Sequence, residues 1–237
     1  MEGETVVCIG GASGMGRGVA EAAAARGAQV VVTSRTRKKA EDAAGQIGAR
    51  GFAADLADDA SMHALFDEVG RFDHLAVTAG ATGRSSVSDT PPDEARTFMD
   101  TKLWATHACV WAAKDRLREE GSITLFSGGY AEAVTDEAVH VHVAFQAVEA
   151  LARAVAVAFA PIRCNVVRPG FVDSALWDFM DEEERDALRA AERKRTLTGD
   201  LVTPRELGEA VVAIMTAKAI TGATIPIDGG RRLTRES

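Results

Sequence analysis

A dense group of glycines follows the first apolar run of the chain. Residues 10–16 read Gly-Gly-Ala-Ser-Gly-Met-Gly, directly after Thr5–Ile9. The β-branched run is typical of a buried strand, and the alanine-rich stretch Arg17–Arg26 before Gly27 is typical of a helix. In a strand–turn–helix unit, glycines let the backbone approach a pyrophosphate, and the helix N-terminus offers free N–H groups.

This context predicts a dinucleotide site, and the alternative is a tight strand–helix turn, which needs fewer glycines. A P-loop is not indicated, because no Gly-Lys-Ser/Thr follows the glycines. The residues expected beside the phosphates are Gly10, Ser13, Gly14, Met15 and Gly16.

The end of the second strand-like run bears on which dinucleotide binds. In NAD-binding versions of this unit an acid there holds the ribose 2′-hydroxyl. Here residues 34–38 read Ser-Arg-Thr-Arg-Lys. A carboxylate would repel a 2′-phosphate, whereas the Arg35 guanidinium can donate two charge-assisted hydrogen bonds to one. The sequence predicts NADP(H) rather than NAD(H), with Ser34 and Arg35 as contacts; the alternative is a solvated basic helix start.

The elements that must position these residues alternate along the chain. Helical patterns separate the first six of seven strand-like runs, which predicts an α/β fold with a parallel sheet and helices on both faces. With 237 residues and no linker or repeat, we expect a single domain over 1–237. The runs are Thr5–Ile9, Gln29–Thr33, Arg50–Ala53, His74–Thr78, Ser122–Phe126, Arg163–Val167 and Thr224–Ile227.

Two long helices and one charged segment complete the pattern. Thr90–Glu94 has a cap, prolines and early acids, and predicts a helix that runs to Arg118. A second helix, roughly Val139–Ala160, is apolar around its girth and is expected in the core. These two helices either pack in the core alone or also form a subunit interface. The charged segment 175–200 lies where the ligand edge is expected, and it predicts a mobile lid or, alternatively, a solvated surface helix.

Composition argues against several classes of partner. The chain is 46% hydrophobic and 26% charged, with a net charge of −8, which argues against nucleic acid. Its three cysteines lie in apolar runs and predict reduced packing residues rather than disulfides or a metal site. The apolar run Leu151–Pro161 is too short to span a bilayer, and no cleavable signal sequence is visible. We therefore expect a cytoplasmic protein without metal or membrane.

Together these residues resemble the short-chain dehydrogenase/reductase (SDR) family over nearly the whole chain. Residues 9–16 are similar to the family's Thr-Gly-x-x-x-Gly-x-Gly, with Ile9 in place of the threonine. The resemblance implies a Rossmann-like, doubly wound, seven-stranded sheet and a homo-oligomer, a dimer or tetramer. By the same resemblance, Asp55 and Leu56 are expected to contact the adenine, and Ala79 and Gly80 are the small pair beside the cofactor. Pro169, Gly170 and Val172 are expected to form the turn near the nicotinamide carboxamide.

The family's catalytic Asn, Ser, Tyr and Lys have no counterpart here. The resemblance places Val141 at the tyrosine, Phe145 at the lysine, Gly128 at the serine and Lys102 at the asparagine. No Tyr or Lys occurs from residue 131 to residue 161, so a shift of register does not restore the pair. A general acid alone typically contributes about 10²–10⁴-fold to the rate. The usual mechanism is therefore not expected.

Four side chains are candidates to replace the missing acid. Lys102 comes from the helix that faces Phe145, and its ammonium is expected to contact the nicotinamide ribose or the substrate oxygen; the alternative is a surface lysine. His142, beside position 141, is a general-acid candidate or a structural histidine. Tyr130 follows the fifth strand and is expected to line the substrate pocket; the alternative is a packing role without contact to a substrate. Ser127 reaches a substrate carbonyl only if the register shifts by one residue.

The sequence thus predicts an NADP(H)-dependent oxidoreductase that acts on a small carbonyl or alcohol by a non-standard mechanism. The alternatives are a catalytically inert NADP(H)-binding sensor or partner subunit, and a non-redox enzyme on the same scaffold. A protonatable side chain beside the nicotinamide position favours the enzyme, whereas a space filled by Val141 and Phe145 favours the inert protein.

Overall fold

The computed structural model describes residues 1–80, 86–132, 135–136, 138–174, 177 and 180–234. Seven parallel strands form one sheet in the order β3-β2-β1-β4-β5-β6-β7, which confirms the predicted α/β architecture. The strands are β1 (Thr5–Ile9), β2 (Gln29–Ser34), β3 (Arg50–Ala53), β4 (Phe72–Val77), β5 (Leu117–Phe126), β6 (Arg163–Pro169) and β7 (Thr224–Ile227). The helices are α1 (Gly14–Ala25), α2 (Arg37–Gly45), α3 (Asp59–Val69), α4 (Pro92–Met99), α5 (Ala105–Ala113), α6 (Val139–Ala158), α7 (Glu182–Lys194) and α8 (Pro204–Thr216).

Alternating side chains of β1 divide the core between the two faces of the sheet. Val7 and Ile9 belong to the cluster that α3, α5 and α6 cover, and Val6 and Cys8 belong to the cluster that α1, α2 and α8 cover. Because both faces are buried, the strands read as continuous apolar runs rather than alternating ones. After β3 the chain returns to the middle of the sheet and forms β4 beside β1, so the strand order reverses between β1 and β4. In folds of this kind the ligand crevice lies outside the carboxyl ends of these two strands.

The helix expected to run from Thr90 to Arg118 is interrupted and shorter. It consists of α4, a π-helical turn at Asp100–Trp104 and α5, and β5 already begins at Leu117. The prediction was wrong at this end because Leu117 is buried and pairs with Phe72 of β4, a contact distant in sequence that no local pattern shows.

Helix α6 confirms the helix predicted over roughly Val139–Ala160, and it is longer than the apolar run Leu151–Pro161 that was judged too short to span a bilayer. Its 20 residues, at a mean hydropathy of 1.4, are long and apolar enough to cross a membrane by length and composition alone. In this fold the helix packs on the sheet through Val148, Ala152 and Val155. The apolar surface is therefore used in the core, and the absence of a membrane partner remains a prediction.

The three cysteines are buried free thiols, as predicted. Burial raises the pKa of Cys8, Cys109 and Cys164 to about 12, so each thiol stays protonated and behaves as a small apolar side chain. Within the described ranges, no group of three or more His, Cys, Asp or Glu side chains is arranged to hold a metal ion.

Helices α1 and α8 meet with their backbones in direct contact. A Cβ atom at Gly18 would lie 1.8 Å from the carbonyl oxygen of Pro204, and one at Gly208 would lie 2.1 Å from the carbonyl oxygen of Gly18. Helix α1 carries the glycine turn at its start, so this contact fixes the position of that turn on the sheet.

We expect Gly18→Ala to lower the free energy of unfolding by about 1–3 kcal/mol, the usual cost of overpacking. In an open helix the same change would stabilise by about 0.5–1 kcal/mol. Gly45→Ala in α2 is the matched control, because a Cβ there meets no atom within 4 Å. Urea denaturation followed by circular dichroism measures both, and equal midpoints for the two variants would contradict the packing argument.

Candidate functional site

The turn after β1 has a shape that only glycine permits. Gly10 and Gly14 have φ angles of +82° and +54°, which side chains with a Cβ rarely adopt. A Cβ at Gly16 would lie 2.4 Å from the carbonyl oxygen of Gly10, so the turn folds directly onto the start of α1. The Gly10 N–H donates to Thr33 Oγ1 at 3.1 Å, which joins the turn to the end of β2.

The N-terminus of α1 is open toward the crevice. Ser13 is the N-cap residue, its side chain makes no capping hydrogen bond, and the first turn holds no acid. The atoms nearest to a Cβ at Gly14 belong to Ser174 and are 3.9 Å away. Uncapped N–H groups and the positive end of the helix dipole therefore face open space, as a pyrophosphate requires. The residues fit the predicted dinucleotide.

The end of β2 presents the guanidinium of Arg35, which no acid among the described residues neutralises. Arg37 pairs with Glu41 at 3.4 Å and Lys38 pairs with Asp42 at 2.6 Å, both within α2. Arg35 is exposed, and across the part of the chain that the structure describes it has neither an ion pair nor a hydrogen bond. Its charge is therefore available to a ligand, and Ser34 beside it is half-buried.

A cleft of about 360 Å³ lies between the glycine turn and the start of α2. Arg17, Lys38 and Lys39 line it together with Ala12 and Thr36. Arg17 is held there because its guanidinium donates to the Ala43 carbonyl at 2.9 Å. Reading the sequence missed Arg17 and Lys39 as lining residues, since both look like ordinary polar positions on helices.

The structure places the remaining predicted cofactor residues at the same edge of the sheet. They lie at or just after the carboxyl ends of β3, β4 and β6: Asp55, Leu56, Ala79, Gly80, Pro169, Gly170 and Val172. The Asp55 carboxylate accepts from the Ala57 N–H at 3.1 Å, and Leu56 is buried in the core. Val172 is buried and bridges to Val202. Their contact with a cofactor stays a prediction.

Lys102 lies in the π-helical turn between α4 and α5 and is only 5% exposed. Turns of this kind are frequent at functional sites. Its side chain lies against Gly80, where a Cβ would come within 2.9 Å of Cδ and 3.0 Å of Nζ. The ammonium lies 5.4 Å from the centroid of the Phe145 ring. The alternative of a surface lysine is therefore wrong.

Within the described ranges, the charge of the Lys102 ammonium is not paired with an acid. Among the described residues, no hydrogen bond or ion pair reaches its Nζ atom, and the Phe145 ring is its one recorded partner there. Burial lowers the pKa of Lys102 from 10.5 to about 8. The amine is consequently still charged at neutral pH and close to the range in which it exchanges a proton.

Apolar side chains occupy the places that the resemblance assigns to tyrosine and lysine. Val141 and Phe145 are 2% and 5% exposed and pack in one small cluster with Phe98. A Cβ at Gly128 would lie 2.5 Å from Cε2 of Phe145, so the ring packs directly on the backbone at the serine position. Phe145 and the missing side chain at position 128 thus depend on each other.

Ser127 is directed away from this cluster. Its hydroxyl donates to the buried Glu149 at 2.9 Å, and Arg168 donates to the same carboxylate through Nε and Nη2 at 3.0 and 2.8 Å. Arg168 also binds Glu132 at 2.7 Å, and these acids raise the pKa of its guanidinium. Because its hydroxyl is already used, we do not place Ser127 at the substrate. The sequence did not reveal this buried pair.

His142 and Tyr130 are joined at the rim. Nδ1 of His142 lies 2.8 Å from the Tyr130 carbonyl, and because a carbonyl only accepts, Nδ1 carries the proton and the Nε2 of the neutral ring is an acceptor. The Tyr130 side chain is 50% exposed. In the part of the chain that the structure describes, no hydrogen bond or ring contact joins either side chain to Lys102. Both remain candidates for the pocket lining.

The charged segment 175–200 contains α7, whereas residues 175–176 and 178–179 lie outside the described residues. Arg189 of α7 pairs with Asp173 at 2.8 Å, and the buried Glu192 accepts two hydrogen bonds from Arg231. The helix is therefore joined to the carboxyl edge by ion pairs along its length. The predicted lid movement remains a prediction.

Comparison with known proteins gives matches over the full fold. The family model described as enoyl-(acyl carrier protein) reductase matches residues 10–232. The short-chain dehydrogenase/reductase ucsE of Acremonium sp is 31% identical, over 97% of this chain and 96% of the relative. The 3-oxoacyl-[acyl-carrier-protein] reductase FabG of Vibrio cholerae is 27% identical, over 97% and 98%.

A solved structure resembles the chain to a similar extent. A small-chain dehydrogenase, crystallised in complex with NADPH, is 28% identical and superimposes with a TM-score of 0.85. The match covers 98% of this chain and 99% of that one. The likeness therefore extends over the whole fold.

The buried ammonium gives a prediction about stability. Folding lowers the pKa of Lys102, so between about pH 8 and 10.5 the unfolded chain binds more protons, and stability rises with pH in that window. At pH 7 we expect Lys102→Met to be more stable than the wild type by up to about 3 kcal/mol, a gap that narrows toward pH 10.

Thermal and urea unfolding across this pH range measure the difference. Lys218→Met is the control, because that lysine is exposed and its pairing with Glu120 at 2.8 Å raises its pKa instead. A Lys102→Met variant that is less stable than the wild type at neutral pH would contradict this prediction, because it would show that the ammonium stabilises the fold.

Proposed function

This chain belongs to the short-chain dehydrogenase/reductase family and is an oxidoreductase of that type, and on this premise we propose that it uses NADP(H) to interconvert a small carbonyl compound and its alcohol. The observation that carries the proposal is the buried, acid-free ammonium of Lys102 at the edge where the cofactor is expected. It supplies one group able to act on a substrate oxygen although the usual four residues are replaced.

The choice of NADP(H) rests on charge. Arg35 follows β2 without an anionic partner among the described side chains, and no acid stands at the place where NAD-binding proteins carry one. A 2′-phosphate would give this guanidinium a bidentate partner. The structural neighbour crystallised with NADPH supports the same choice.

The proposed mechanism assigns separate tasks to the residues of this chain. The turn at residues 10–16 and the start of α1 would hold the pyrophosphate, and Ser34 and Arg35 would hold the 2′-phosphate. When bound, NADP(H) supplies or accepts the hydride. Lys102 stabilises the negative charge that develops on the substrate oxygen and donates a proton to it, which a pKa of about 8 permits near neutral pH.

The surroundings of Lys102 keep it in place for this task. Gly80 leaves room for the side chain and Phe145 presents a ring face to the ammonium. Val141 and Phe145 also make one wall of the site apolar, which keeps water away and strengthens the interaction between the ammonium and an oxygen.

We propose that the chain works as a cytoplasmic homo-oligomer, a dimer or tetramer. The surfaces offered for pairing are those of α5 and α6 with the turn before α5. Trp104 and Trp111 are 57% and 52% exposed, and Val143 and Val157 are 47% and 82% exposed. Large apolar side chains on a helix surface are typical of protein interfaces.

A second candidate is an NADP(H)-binding protein without turnover. It is favoured by the burial of Val141 and Phe145 in the space of the missing tyrosine and lysine. A sensor or partner subunit of this kind would bind NADP(H) without hydride transfer. A non-redox enzyme would also bind NADP(H) without hydride transfer, but it would convert a substrate.

Titration with NADPH and NADH, followed by a panel of carbonyl compounds, separates these functions. We expect NADPH to be oxidised with at least one compound, and Lys102→Met to lower the turnover about 10²–10⁴-fold while NADPH still binds. Lys218→Met, on the opposite edge of the sheet, is the control. Tight NADPH binding with no oxidation across the panel would favour the protein without turnover, and unchanged activity in Lys102→Met would remove its role.

Replacing Arg35 tests the cofactor. We expect Arg35→Ala to raise the Kd for NADPH about 10- to 100-fold, since a hydrogen-bonded charge contributes about 1.5–3 kcal/mol, and to change the Kd for NADH little. Arg37→Ala is the matched control, because that guanidinium pairs with Glu41. Fluorescence titration at fixed ionic strength gives both constants. An equal loss for NADPH and NADH would contradict the assignment.

A further inference from the structure

Lys102 differs from the other buried charged side chains that the structure describes. Glu149 and Glu192 each accept from arginines, and Asp228 accepts from Arg232. Arg163 donates to backbone carbonyls at the end of α8. Lys102 is as buried as these groups, yet within the described ranges its ammonium faces one aromatic ring and no anion.

An unpaired ammonium is costly to bury, and the Phe145 ring offsets only part of that cost. A cation over an aromatic face gains about 0.5–2 kcal/mol, whereas buried charges are otherwise paired or neutralised. The π-helical turn and Gly80 nevertheless hold the amine in this place. An anionic group of a bound ligand would supply the ion pair that this ammonium lacks among the described residues.

We propose that Lys102 binds an oxyanion of the substrate, and that the substrates are carbonyl compounds that carry a delocalised negative oxygen, a carboxylate or the enolate of a 1,3-dicarbonyl. This inference rests on the proposed function and names the substrate class of the same site. The ammonium carries three N–H groups, so one can form a charge-assisted hydrogen bond with that oxygen while another faces the carbonyl oxygen that takes part in the proposed reaction. The binding itself makes and breaks no covalent bond.

The surroundings suit such a ligand. Gly80 is exposed and directly covers the lysine side chain, so the amine lies just below the surface of the carboxyl edge. Phe145 and Val141 offer an apolar wall to a carbon skeleton. Two acids of loops at the carboxyl edge are already paired, Glu132 with Arg168 and Asp173 with Arg189, which limits their repulsion of an anion.

Matched probes, in which an anionic oxygen is exchanged for its neutral methylated form, test the proposal. The first pair is acetoacetate and methyl acetoacetate, and the second is cyclohexane-1,3-dione, ionised at neutral pH, and its neutral methyl enol ether. Calorimetry on the full chain, with and without NADP⁺, gives the affinity of each. We expect the anionic member of at least one pair to bind about 10- to 100-fold more tightly. The pair that shows the preference identifies carboxylate or enolate.

In Lys102→Met the preference should vanish while the affinity for the neutral member is kept, and Lys218→Met should behave like the wild type. Equal binding within both pairs, or a preference that survives in Lys102→Met, overturns the proposal. A Lys102→Met variant that weakens NADP⁺ binding with no change in probe preference assigns the amine to the cofactor ribose and also overturns it. Failure of the wild type to bind NADP⁺ would refute the proposed function, but the probe comparison without cofactor would still decide this inference.

Discussion

The desolvation of one ammonium group is the constraint around which this site is built. Lys102 gives up its hydration without gaining an ion pair among the described residues. Three features keep it where it is: a π-helical turn that redirects the side chain, a glycine at position 80 that leaves it room, and the face of Phe145. Proteins usually tolerate a destabilising group of this kind where activity needs it.

The rest of the fold supplies a rigid frame for that group. Parallel strands bring the glycine turn, Arg35 and Gly80 to one edge, and the backbone contact of α1 with α8 fixes the turn on the sheet. The Glu149–Arg168 pair stabilises the other side, because it joins α6 to β6 and, through Ser127 and Glu132, holds the loop that contains Gly128. The residues proposed to bind the cofactor and the residue proposed to act on the substrate thus rest on separate supports.

The frame was predictable from the sequence, and the details of the site were not. Apolar runs located every strand, since a parallel strand buried on both faces needs only local composition to be recognised. The burial of Lys102 depends on Gly80 and Phe145, which are distant in sequence, and no local pattern reports such a contact. The direction of Ser127 agrees with the predicted register, in which only a shift of one residue would turn it toward the substrate. Its partner Glu149 was not predictable, because it lies 22 residues away in sequence on another element.

The contact between Gly128 and Phe145 restricts how this chain can change over time. A serine acquired at position 128 would clash with the phenyl ring, since its Cβ alone would lie 2.5 Å from Cε2 of Phe145. A lysine acquired at position 145 would set a second ammonium beside the first, whatever residue stands at 128. A return to the common catalytic set therefore requires positions 102, 128 and 145 to change together.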